Sequence, residues 1–252
     1  MIERDRKPEK TRIVWLSVSP SLRPFDKPLL HYLARTVEVA RWDYSQTLDE
    51  ASWLDQAVDL LYEYLQTYDR PIDLVGHGLS GVVGLLGARR FPERVRSLSL
   101  LAVSAQPAVT WQAHYYVQRQ SLPCSQRQIL VQTVRSLFGR RLPASVDRLV
   151  TVFERDLIES PSPHSLFHVH SLPQGGVPMP LLVCGSQTDP VVSPPDLQSW
   201  STWIKPNTVD SCMPPDRLWT STSGSHFFHY FYPSQIGQEL LQFWRVQPIK
   251  NT

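Results

Sequence analysis

No apolar run in these 252 residues approaches the roughly 20 needed to cross a bilayer. The stretch Met1 to Lys10 is charged and lacks the apolar core of a signal peptide. A cytoplasmic or peripherally attached protein is therefore expected, not an integral membrane one. Charge of one sign is lacking too: a formal net charge of +2 builds no basic surface for nucleic acid, so none is expected as a partner. Cysteine is scarce. Cys124, Cys184 and Cys212 are odd in number and far apart, which suits reduced thiols better than a disulfide framework, and none has metal-ligand spacing. Cys184, ending an apolar run, reads as a small core residue. Glycine is half as frequent as proline, 11 against 22, and many prolines fall between Pro161 and Pro215, where long irregular connections are expected.

What the chain does contain is an alternation of strand-like and helix-like runs. Arg12 to Leu16 and Val37 to Trp42 have the length and apolar content of buried strands. Between them a helix is expected from about Pro28, with proline in its first turn, to Arg35. Asp49 or Ser52 then caps a helix in which Leu54, Val58, Leu61 and Leu65 share one face, and Pro71 ends it. Ile72 to Val75 is a third strand. The following helix, running to Phe91, carries Gly81, Gly84 and Gly87; each costs roughly 1 kcal/mol relative to alanine, so close backbone packing is the expected reason for them. Val95 to Val103 is a fourth strand. Such an order implies a mostly parallel sheet with helices on both faces.

From Ser104 to Gly176 the alternation stops and helices follow one another, over about 109–120, 125–138 and 144–158. Arg119, Arg127, Arg135, Arg140, Arg141, Arg148 and Arg155 face Asp147, Glu154, Asp156 and Glu159 in this insertion, a net +3 by formal count. The sheet pattern resumes with Pro180 to Gly185, a helix near Asp196 to Ile204, a last strand from Arg217 to Thr220 and a closing helix from Ser234 to Trp244. Residues 11–103 and 177–246 thus read as one core, 104–176 as an insertion and 1–10 and 247–252 as polar tails.

Between the third strand and its helix lies Gly76-His77-Gly78-Leu79-Ser80-Gly81. A strand-to-helix turn of the form G-x-S-x-G exposes a nucleophilic serine at its middle position. Here that position is Gly78. Asp189 follows a late strand in the turn Gly185 to Pro190, and His226 follows the last strand. Taken together, this order of motifs resembles the α/β-hydrolase superfamily over Arg12 to Trp244. The resemblance implies an α/β-hydrolase fold with an inserted helical cap, triad positions at Gly78, Asp189 and His226, an elbow backbone donor at Leu79, and an oxyanion loop at Ser17-Val18, where many members have His-Gly. His77, before the apex, is common in the family and is expected to pack or hydrogen-bond.

Glycine at 78 suits the positive φ of such a turn without a Cβ penalty, but it removes the reactive atom. Ser80, two positions on, should face away from His226 and bond a free helix N–H, which makes it a poor surrogate nucleophile. Two function classes follow. One is a non-hydrolytic role, binding a small hydrophobic or ester-like ligand or a protein partner through the old pocket and cap. The other is a hydrolase or lyase acting on an ester-like or carbonyl substrate, with water activated by the His226/Asp189 pair. No cofactor or metal is called for: His164, His168, His170 and His229 lack ligand spacing and read as solvated or core histidines. Trp111, Tyr115 and Tyr116, with Trp200 and Trp203, could form an aromatic and cationic mouth, against the plainer reading of a solvated helical face.

Overall fold

Ile13 and Trp15 point to one face of strand β1 (Arg12–Ser17), Val14 and Leu16 to the other, and all four are buried. A strand buried on both faces belongs inside a layered α/β sheet. The computed structural model, which describes residues 12–45, 54–107, 109–161, 174–206 and 215–245, has that architecture. Strands β2 (Glu38–Asp43), β3 (Ile72–His77), β4 (Val95–Leu101), β5 (Leu181–Ser186) and β6 (Arg217–Ser221) join β1 in a six-stranded sheet of order β2-β1-β3-β4-β5-β6. Every pairing is parallel.

Helices cover both faces. On one side α1 (Arg23–Leu33) and the closing helix α9 (Pro233–Arg245) set Leu29, Leu33, Ile236 and Leu240 against Ile13, Trp15 and Val75. On the other, α2 (Leu54–Leu65) and α3 (Leu79–Arg90) set Val58, Leu61, Leu65 and Val83 against Val14, Leu16 and Leu74. The expected apolar stripe of α2 is therefore its buried face; the caps proposed for it at Asp49 and Ser52 lie outside the described residues. Between β4 and β5 the chain forms α4 (Trp111–Ser121), α5 (Gln126–Phe138) and α6 (Val146–Glu159), capped by Thr110, Ser125 and Ser145.

Glycines on α3 mark its close approach to the sheet. A Cβ at Gly81 would lie 2.5 Å from Val103 Cγ2 and 2.8 Å from the Gly76 carbonyl oxygen, and one at Gly84 would lie 2.8 Å from Leu16 Cδ1.

Two expectations are corrected. Helix α1 begins at Arg23, five positions before Pro28, because Pro24 takes the first-turn position where a missing N–H costs nothing; Pro28 lies inside the helix. The helix expected to Ile204 stops early: α7 (Pro194–Gln198) gives way to a 3-10 turn, Ser199–Thr202. That tighter turn seats Trp200 in the core, fully buried, with its Nε1–H donating to the Val103 carbonyl at 2.9 Å. Trp200 is thus no part of an aromatic mouth. Cys184 is a buried core thiol, and Cys124 is exposed. A four-residue helix α8 (Phe228–Phe231) follows the last strand.

Candidate functional site

Strand order reverses between β1 and β3, and in open α/β sheets ligands bind beyond the carboxyl ends of the strands at such a switch point. A cavity of about 20 Å³ lies there, lined by Ser17, Ser19, Asp26, His77, Gly78, Leu79, Ser80, Trp111, Gln112, His226 and apolar neighbours including Phe227. A space of that size holds one or two waters.

The floor is the elbow. Gly78 has φ 52° and ψ −127°, its N–H donates to the Leu101 carbonyl (2.9 Å), and its own carbonyl starts α3 by accepting from Val82 N–H (3.1 Å). A Cβ on Gly76 would lie 2.6 Å from Gly81 N, so the sharpness of the turn itself requires glycine there. A Cβ on Gly78 would find open room and stand 3.6 Å from His226 Nε2.

His226 comes from the loop after β6 and Asp189 from the loop after β5, which the parallel sheet brings together. The His226 Nδ1–H donates to Asp189 Oδ2 at 3.0 Å, with Oδ1 at 3.2 Å, and both residues are buried. Asp189 Oδ1 also accepts the Val191 and Val192 N–H groups. The carboxylate is therefore fixed from two sides, and it holds the imidazole with Nε2 toward Gly78. Helix α5 supports the same loop: the Leu137 carbonyl accepts from His226 N–H at 3.1 Å, and Phe138 stacks on Phe227 with centroids 4.6 Å apart.

Ser80 departs from expectation. Its Oγ accepts a hydrogen bond from Val18 N–H, 3.0 Å away, instead of bonding a free N–H of its own helix. The first turn of α3 packs beneath the Ser17-Val18 loop, so the nearest orphan donor is across the cleft. Val18 N–H is thereby engaged, Ser17 is buried in the cavity wall, and Leu79 follows the apex at the start of α3. His77 Nε2–H donates to the His226 carbonyl at 3.0 Å. Burial, with His229 and His226 nearby, holds its imidazole well below the usual range.

Two further residues of the cavity lining, Asp26 and Gln112, carry no sequence signal. Asp26 on α1 reaches the cavity and pairs with His229, Oδ1 to Nε2 3.2 Å, while its Oδ2 accepts from Trp15 Nε1–H at 3.0 Å. Burial pushes the Asp26 carboxyl up to about 7 and the His229 imidazole down to about 3. His229 is thus a paired core histidine, and among the described residues no group of side chains could hold a metal. On the side of α4, Trp111 and Gln112 line the cavity, and Gln112 Nε2 donates at 3.1 Å to Asp156, a buried carboxyl that burial also raises to about 7. Tyr115 is buried and Tyr116 half-buried. His164, His168 and His170 lie outside the described residues.

A parallel sheet of this order, with a strand-to-helix elbow and a histidine–aspartate pair converging above it, is an α/β-hydrolase fold, and solved structures agree. The type II thioesterase BorB from the borrelidin biosynthetic cluster superposes with a TM-score of 0.66 at 19% identity, covering 95% of each chain. Epoxide hydrolase A from Mycobacterium thermoresistibile gives 0.61 at 14% identity, covering 97% of this chain and 94% of its own. In sequence, the chain is 50% identical over 238 residues to the uncharacterized protein alr2406 of Nostoc sp., covering 94% of this chain and 92% of that one. It is 40% identical over 238 residues, with the same coverage, to the uncharacterized protein sll0249 of Synechocystis sp.. It belongs to one family with these two cyanobacterial proteins. No family model matches it.

Proposed function

We propose that the chain is a hydrolase-like protein that has given up covalent catalysis and uses the cleft over Gly78 to bind a small ligand, hydrophobic or ester-like, without hydrolysing it through an acyl-enzyme. Gly78 carries this reading: the turn keeps the backbone angles of a nucleophile elbow and has no reactive atom at its apex. Ser80 is no replacement, since its hydroxyl is committed to Val18 N–H. In this reading residues 104–176 form the cap over a core of 11–103 and 177–246. The arginine-rich outer face of the cap is a surface on which a protein partner could dock.

A second reading has its own observation. His226 keeps its Asp189 partner and aims Nε2 at the place a serine would fill, so it could activate a water for attack on a reactive ester-like or carbonyl substrate, or move a proton in a lyase reaction. Removing the nucleophile of a serine hydrolase leaves only about 10³–10⁴-fold catalysis over water, which limits such an enzyme to reactive substrates.

A fluorophosphonate probe should leave the protein unlabelled; labelling at Ser80 would refute the role given to its hydroxyl. Across a panel of activated esters, turnover that His226→Ala abolishes would replace the binding reading by the second one.

A further inference from the structure

The cleft holds a second histidine–aspartate pair besides His226–Asp189. Asp26 and His229 are 203 positions apart, yet His229 Nε2 and Asp26 Oδ1 stand 3.2 Å apart, and Asp26 lines the same cavity as Gly78 and His226. The Asp26 side chain is 13% exposed and that of His229 is fully buried.

Both fixed partners of Asp26 donate to it. Trp15 Nε1 can only donate. For His229, the ring leaves Nδ1 buried and without a hydrogen-bond partner among the described residues. A bare acceptor nitrogen is tolerated there more readily than an orphaned N–H, so the proton of the neutral ring sits on Nε2 and points at Asp26. With each oxygen already accepting one hydrogen bond, a proton on the Asp26 carboxyl has only the cleft to donate into.

We propose that Asp26 is a ligand-binding residue: protonated, it donates a hydrogen bond to an oxygen of a small carbonyl or carboxylate compound seated over Gly78, while Trp15 and His229 position it. The inference rests on the reading of that cleft as the ligand site. Its size, with Leu16, Leu22, Trp111 and Phe227 around the polar groups, suits a short oxygen-bearing chain end. The charged and titratable groups facing Asp26 are Arg23 from its own helix, Arg41 and Asp43 from β2, and His229 from α8; His77 and His226 line the cleft it opens on. Asp43 already holds Arg23 at 3.2 Å and Arg41 at 3.0 Å, so neither arginine is a dedicated counter-ion for Asp26.

Binding of an anion to this site then requires a proton on Asp26. Affinities of acetate and acetamide are measured by NMR titration of the histidine ring resonances between pH 6 and 9, for the wild type and Asp26→Asn. Acetate affinity in the wild type should fall by up to about tenfold per pH unit above neutrality, and Asp26→Asn should flatten that slope. A slope that persists in Asp26→Asn assigns the proton to another group, such as His226, and overturns the proposal. If neither compound binds the wild type at any pH, the ligand-site reading falls first and takes this inference with it. Acetamide binding with pH-independent acetate binding overturns the inference alone. Should Asp26→Asn fail to fold, the Asp26 carboxyl carbon-13 resonance of the wild type decides: acetate must raise its titration midpoint, and an unmoved midpoint refutes the role.

Discussion

A Cβ built on Gly78 meets only His226 Nε2, at 3.6 Å, so one side chain separates this site from the geometry of a nucleophile and base. Gly78→Ser should place a hydroxyl within hydrogen-bond reach of the imidazole. The backbone there has φ 52°, a region that glycine visits freely, so the variant should lose about 1–3 kcal/mol of stability in denaturant unfolding. It should also gain stoichiometric fluorophosphonate labelling at residue 78; a stable variant that stays unlabelled would show that the His226–Asp189 pair cannot act as a base. Gly78 and Asp189 were legible in the sequence because each follows an apolar strand, and His226 because it follows the last strand in the order of motifs. Asp26 and His229 were not. Their meeting depends on how α1 and α8 pack, and locally Asp26 is only an acid in the first turn of a helix.

The elements were easier to read than their ends. Parallel strands buried on both faces announce themselves as apolar runs, and the glycines of α3 announce a close contact without saying with what. Those glycines are not equivalent. Gly81→Ala brings a Cβ to 2.8 Å from a backbone oxygen, which can yield only if the helix moves, whereas Gly87→Ala brings one to 3.2 Å from Leu61 Cδ2, the free end of a side chain. Alanine gains about 1 kcal/mol in helix propensity at either site. Urea unfolding should therefore find Gly81→Ala destabilised by about 1–3 kcal/mol and Gly87→Ala near neutral. Equal effects would mean that propensity, not contact, governs this helix. The start of α1 and the end of α7 were misread because in each case a contact outranked local signals: Pro24 supplies an earlier start, and burial of Trp200 bends the chain into a 3-10 turn.

At the scale of the molecule, the layer of α4 to α6 meets the sheet at a buried carboxyl. Asp156 on α6 accepts a hydrogen bond from Gln112 of α4 and lies near Ser19 of the loop after β1, and burial raises it from 3.8 to about 7. A folded carboxyl so raised holds its proton between about pH 4 and 7, where the unfolded chain has released it. Its contribution to stability is therefore full at the acid end, falls as pH rises through that window and is constant above it. The Asp26–His229 pair behaves differently. With Asp26 raised to about 7 and His229 lowered to about 3, the pair holds one proton in the folded state at pH 5, and the unfolded chain also holds one, on the histidine, so the two slopes offset. Asp156→Asn isolates the remaining effect. The stability of the variant minus that of the wild type should rise by up to about 1.4 kcal/mol per pH unit between pH 5 and 7 and level off by pH 8, measured by urea unfolding at each pH. A difference that does not change with pH would place an ordinary, solvated carboxylate at 156 and remove the buried junction between the two layers.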